Sequence, residues 1–515
     1  MTDILLVPLD NRPCTSRFPV ELAAITGFKA ALPPAQILGN VQKPARLDQL
    51  QSWLENQLDT AQVLVLSLDT WLYGGLVFSR KSTESLQNLQ ARLTDLKKLK
   101  ARFPSLRISA FATLLRLSNH NDATEERPYW ADYGTDIHRY AWLEDYLSKH
   151  PEPSLEQEYQ ALKTHLPTAV LTDYRALRQR NFTLLLEALQ YAQDGIFENL
   201  YIGCDDSGEY GWNIQEKTEL SSQIQARGLE KKVLIYPGAD EIASVLFMRT
   251  LVPERLKVAV NYSFPETCEM ATLYEGVPLS ETLQAQAQAA GIEWVSAEQA
   301  QAQLWIHNPP QRQTDQYLDR AFRQPITPAE YARIVQALET QNLPSALADI
   351  CYANGGDQQL LEQLEEKQAL HRLSVYSAWN TTGNTLGFAL AWLKACLHQQ
   401  DRKLQLRFLL ERLLDDGWYQ GIMRQRLCAH YSEPVTLDSC LRFLSFGNER
   451  LKQWQEDFKA LQQTPAEIRH LHFPWRRFFE IDLSICLKKS DDIPVSDLHR
   501  PVPDAESATD HKTRP

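Results

Sequence analysis

The chain has no Cys-x-x-Cys pair, no apolar run of membrane-spanning length, no glycine-rich phosphate loop and no excess of positive charge. Each absence excludes something. Its eight cysteines (14, 204, 268, 351, 396, 428, 440 and 486) are scattered without zinc spacing, so they read as reduced thiols. The chain begins directly with a strand-like run and lacks a basic segment followed by a long apolar one, so a cytoplasmic location with no membrane partner is expected. A net charge of −12 and a pI near 5.6 argue against nucleic acid as a partner. Neither Gly-x-Gly-x-x-Gly opening a helix nor Gly-x-x-x-x-Gly-Lys-Ser/Thr occurs, so no nucleotide cofactor, and no cofactor of any kind, is expected. The absence of Gly-x-Ser-x-Gly and His-Glu-x-x-His weakens serine-hydrolase and zinc-protease readings.

What is present is alternation. At 515 residues and 43% hydrophobic content the chain can build one large domain with insertions or about two to three domains. Nine short apolar runs fall at residues 4–9, 63–68, 107–115, 200–202, 233–236, 258–260, 304–306, 347–352 and 375–378. Each leads into a polar, often acidic end and then a helical pattern, which predicts a mostly parallel α/β sheet. Polar side chains at strand C-termini suit a (β/α) barrel or doubly wound Rossmann-like domains. The number of units favours a barrel-like catalytic region over residues 1–385. Residues 121–198, rich in aromatics and charges, are expected to form a helical insertion, because so long a loop needs structure of its own. Residues 386–489 read as mostly helical, with 473–481 as a strand returning to the core, and 490–515 as a disordered tail.

The chemistry gathers at the run ends. Asp205 and Asp206 adjoin just past the fourth run, where two carboxyls can occupy different environments. Around them stand Asp10, Arg12, Asp69, Asn119, Asp240, Asn308, Asn354, Asp357, Asn380 and Asn384, with the aromatics Tyr73, Tyr210 and Trp379. Carboxylates and amides bind hydroxyl groups and rings pack on sugar faces, so a small-molecule or oligosaccharide substrate is expected. Glycoside hydrolysis needs one protonated and one ionised carboxyl, and Asp205 with Asp206 is the candidate acid/base centre of such an enzyme. A divalent-metal hydrolase using Asp10, Asp69, Asp206 and Asp240 is the alternative. A non-catalytic carbohydrate-binding protein is a third. No metal ligand is assigned in the preferred reading.

Several blocks carry a family resemblance: Pro8-Leu9-Asp10-Asn11-Arg12-Pro13, Ser67-Leu68-Asp69 with Tyr73-Gly74-Gly75, Asp205-Asp206, Tyr236-Pro237-Gly238-Ala239-Asp240-Glu241, Asn354-Gly355-Gly356-Asp357, and Trp379-Asn380-Thr381 with Asn384. They resemble an uncharacterised bacterial domain-of-unknown-function family whose members open on Pro-Leu-Asp-x-Arg-Pro. A second resemblance is to O-GlcNAcase-type β-N-acetylhexosaminidases, carried by Asp205-Asp206, Asn308-Pro309 and Trp379-Asn380. It implies that Asp205 polarises a substrate acetamido group, Asp206 acts as general acid/base and Asn380 binds hydroxyls. The spacing between these blocks and the insertion after Asn121 depart from that pattern.

Overall fold

A computed structural model describes residues 3–487 apart from 60, 206–207, 320, 341, 432–434, 456 and 459–464. Asp206 and the tail expected over 490–515 therefore lie outside the described residues. The strands are β1 (Ile4–Val7), β2 (Ala30–Ala31), β3 (Val63–Ser67), β4 (Arg107–Leu114), β5 (Asn199–Cys204), β6 (Val233–Pro237), β7 (Leu256–Tyr262) and β8 (Ile292–Trp294). They continue with β9 (Ala302–His307), β10 (Thr314–Asp315), β11 (Ser345–Asp349), β12 (Tyr352–Ala353), β13 (Leu373–Ser377), β14 (Ala466–His472) and β15 (Asp482–Leu487).

All nine apolar runs become strands, but they do not share one sheet. Six strands form a parallel sheet in the order β2-β1-β3-β4-β5-β6, and five form another in the order β13-β11-β9-β7-β8. Numbered within itself, the second sheet has the same 2-1-3-4-5 order as the first five strands of the first. Both are open, and no closed barrel is found among the described strands. Alternation of strand and helix dictates parallel pairing; it carries no information about strand order, which is where a barrel and an open sheet differ.

The first sheet is covered on both faces, as a parallel sheet must be. Ile4, Leu6, Val63, Val65, Phe111 and Tyr201 point into one core, and Leu5, Val7, Leu64, Leu66, Ala110 and Ile202 into another. The first of these cores continues without a break into Val258, Leu304, Ile306, Ala346 and Val375 of the second sheet. Helices Arg17–Ile25, Ile242–Leu251, Leu279–Ala290 and Thr382–Leu397 pack on one another and on strands of both sheets, forming a shared middle layer. Helix Thr382–Leu397 spans the boundary expected at residue 385.

Over 121–198 stand helices Trp130–Lys149, Pro153–His165 and Thr168–Gln193. The first and third share a small core of Trp130, Tyr140, Tyr174 and Leu177 with Trp212, which begins the next helix. Near the C-terminus, β14 and β15 pair antiparallel, so 473–481, expected as a strand, is the loop between them. Pro474 and the left-handed backbone of Arg476 (φ 57°) suit a turn. No helix of the described residues is long and apolar enough to cross a membrane.

Candidate functional site

Open parallel sheets present ligand-binding positions outside the C-terminal ends of their strands, at the point where strand order reverses. In the first sheet that point lies between β1 and β3, which end at Asp10 and Asp69. After β1 the chain turns on Asp10, whose Oδ1 accepts from the Arg12 backbone N–H (2.9 Å) and the Thr15 hydroxyl (2.8 Å). The turn folds the Arg12 guanidinium back between two carboxylates. Its Nη2 donates to Asp10 Oδ2 (2.7 Å), and Nη2 and Nη1 donate to the two oxygens of Asp240 at 2.6 and 3.0 Å. All three residues are buried, and the Trp475 ring lies 4.6 Å from the guanidinium carbon. Burial lifts the Asp240 carboxyl to about 6 against the pull of Arg12.

The second sheet closes on this cluster. Asn380, held at φ 64°, donates to Asp240 Oδ2 (3.0 Å), and Asn384 Oδ1 accepts from the Asp240 backbone N–H (3.0 Å). The ends of β1, β6 and β13 thus meet at one point. Of the expected site residues, Asp10, Arg12, Asp240, Asn380 and Asn384 are brought together here, with Trp379 alongside, packed on Phe479 at 5.9 Å.

A second cluster stands at the ends of β3, β4 and β5. Asp69 accepts from the backbone N–H and hydroxyl of Thr113 at 2.9 and 3.0 Å, yet burial lifts its carboxyl to about 7. Arg80 and Asp205 each act on that charge, Arg80 lowering and Asp205 raising it. Arg80 in turn grips Asp205 with one Nη and Glu125 with the other (2.9 Å). Glu125 also accepts from Arg116 (3.2 Å) and Arg477 (2.6 Å). It is desolvated, but three guanidinium groups hold it well below the usual carboxylate range. Asp205 acts on Asp240 as well, so the two clusters are one electrostatic unit.

Beside this unit opens a cleft of about 320 Å³, walled by Arg116, Asn119, His120, Glu125, His138 and Tyr210 among others. Asn119 is exposed on its rim. Tyr210 packs against Trp142 and Tyr146 of the helical insertion and meets His150 at 3.4 Å. Burial, then Arg139 and His120, lower the His138 pKa, which favours its neutral ring.

Four expected site residues stand apart. Tyr73 is buried beneath Arg180, 5.4 Å away. Asn308 is spent on its own surroundings, bonding both backbone groups of Phe264 (3.1 and 2.7 Å). Asn354 donates to Asp315 (2.6 Å). Asp357 caps helix Gln358–Glu366 and accepts from Tyr331 (2.7 Å), and it meets His307 (3.0 Å), whose other ring nitrogen meets the Ser263 hydroxyl at 2.9 Å. This Ser-His-Asp line is wholly buried, so it braces the second sheet and has no face for a substrate.

The residues not anticipated are Arg80, Glu125 and Arg477. Arg80 and Glu125 each follow a run end closely in sequence, a usable signal, whereas Arg477 reaches Glu125 from 352 residues away. Of the carboxylates named for a cation, Asp206 lies outside the described residues. Arg12 stands between Asp10 and Asp240, and among the described residues the sets within metal-ligand reach lie elsewhere, at His307, Cys351 and Asp357 and at His470, His472 and Asp482.

A family model described as a protein of unknown function (DUF4127) matches residues 4–484. No curated protein and no solved structure matches the chain.

Proposed function

The chain belongs to the DUF4127 family, whose description names no activity, so from the site alone we propose a hydrolase that cleaves glycosidic bonds at the strand ends of the first sheet. The observation that carries this reading is the carboxyl set around Arg80. Glu125 is fixed as a carboxylate, Asp205 is ion-paired beside it, and Asp69 behind them titrates near neutrality. Glycoside hydrolysis requires such a division between proton-bearing and ionised carboxyls. In this reading Asp205, with Asp206 next to it in sequence, forms the acid/base centre, and Asp69 is the group whose proton sets the charge of the pocket. The adjacent cleft offers amide, imidazole and aromatic walls suited to a polyhydroxylated ring. The Asp-Asp pair makes N-acetylhexosaminides the first substrates to try.

The test is turnover of a panel of aryl glycosides, N-acetylhexosaminides included, by wild type and Asp205→Asn. Wild type is expected to hydrolyse at least one, and the variant to lose on the order of 100-fold or more, the usual contribution of a positioned acid or base. No turnover by wild type, or equal turnover by the variant, would defeat the reading.

A further inference from the structure

Buried arginines among the described residues follow a rule with one exception. Arg12, Arg80, Arg178 and Arg412 are each at most 4% exposed, and each has a carboxylate oxygen within 3 Å. Arg424 is 9% exposed and has no ion pair among the described residues. Among the described residues its buried Nε has no acceptor, and its one side-chain hydrogen bond, from Nη1 to Gln420 Oε1, is long at 3.4 Å. What holds the guanidinium is aromatic: the Tyr317 ring at 4.2 Å and the Phe479 ring at 4.7 Å. Flat rings orient a guanidinium and leave its N–H edge unused.

Beside these rings lies open space. Arg424 lines an open groove of about 530 Å³ with Tyr317, Tyr431, Arg477, Phe478 and Phe479, a volume within the range of small-molecule sites. Arg424 follows directly on the π-helical segment Leu413–Met423, whose widened turns are rare and concentrate at functional positions. A charge taken out of water without a partner is unfavourable, and a planar fork of unused donors matches a carboxylate or phosphate.

We propose that Arg424 is the anion-binding residue of a second ligand site, one that takes the phosphate or carboxylate group of a small organic molecule whose body packs on the surrounding aromatic rings. The site rests on nothing assigned to Asp205 or Asp69, so it stands or falls independently of the glycosidase reading.

The experiment uses the full-length protein at fixed ionic strength, with isothermal titration and thermal melting. The probes are inorganic phosphate, glucose 6-phosphate, glucuronate and, as the uncharged control, glucose. Wild type is expected to bind at least one of the anions saturably, with a rise in Tm, and glucose not at all at this site. Arg424→Gln is expected to weaken that binding at least about tenfold, and its ligand-free Tm to equal or exceed that of wild type, because an unpaired buried charge is gone. An equal response to phosphate and glucose 6-phosphate assigns the affinity to the oxyanion, and a larger one to glucose 6-phosphate assigns part of it to the rings. Failure of all three anions to bind, or unchanged binding by a folded Arg424→Gln protein, overturns the proposal.

Discussion

Replacing Asp69 with asparagine separates stability from chemistry at the strand ends. Asp69 is 3% exposed, and burial, outweighing the two bonds from Thr113 and the pull of Arg80, lifts its pKa from 3.8 to about 7. Between those values the folded protein holds a proton that the unfolded chain has released. Stability therefore falls as pH rises through this window, by about 1.4 kcal/mol per pH unit. The fall begins near 3.8 and is complete above about 7, a total on the order of 4 kcal/mol.

The asparagine side chain can keep both contacts. Its carbonyl accepts the Thr113 N–H, and its amide donates to the Thr113 hydroxyl, which rotates to accept. With no charge to bury, Asp69→Asn is expected to be more stable than wild type at pH 8 by a few kcal/mol, roughly 2–4, with a smaller gain at pH 5. Urea unfolding read by fluorescence of the twelve tryptophans, repeated from pH 5 to 8, measures this. The same variant, assayed on whichever glycoside wild type cleaves, is expected to lose activity. If Asp69→Asn is no more stable at pH 8, or leaves the pH slope unchanged, burial does not penalise this carboxyl, and its part in the proposed chemistry goes too.

Two further substitutions probe the framework. Arg12→Met leaves Asp10 and Asp240 buried face to face, so a loss of about 3–5 kcal/mol is expected in urea unfolding at pH 8. Asp240→Asn added to it should restore part of that loss; a single variant as stable as wild type would contradict the buried pairing. Ser263→Ala removes a hydroxyl 2.9 Å from His307 and is expected to cost about 1 kcal/mol while leaving the rate of any hydrolysis unchanged. A large drop in kcat with stability retained would make the Ser263-His307-Asp357 line catalytic after all.

The strands were legible because strands buried on both faces read as unbroken apolar runs. The two shortest edge strands were not: Ala30–Ala31 and Ile292–Trp294 are two and three residues long and leave no periodic signal, whereas the longer edges β6 and β13 were read. Polar ends were legible as positions but not as partners. Asp10, Arg12, Asp240 and Asn380 share the grammar of Asn308 and Asp357, a strand followed by a polar residue. Only tertiary packing decides that the first group meets across two sheets while Asn308 bonds its neighbouring loop. Asp240 illustrates the difference, since its partners are 228 residues upstream and 140 downstream.

The least legible element is also the one that joins the parts. The loop between β14 and β15 lays Trp475 against Arg12 and bonds its indole N–H to Asn11 (2.8 Å). Two residues on, Arg477 reaches Glu125, and then Phe479 packs on both Trp379 and Arg424. Expected to return to the core as a strand, the segment returns as a loop, and its Trp475 ring covers Arg12. Arg12 in turn bonds both oxygens of Asp240, so the loop bears on that carboxyl through the arginine it covers. This segment near the C-terminus thus ties Arg12, Glu125 and Arg424 to one stretch of backbone.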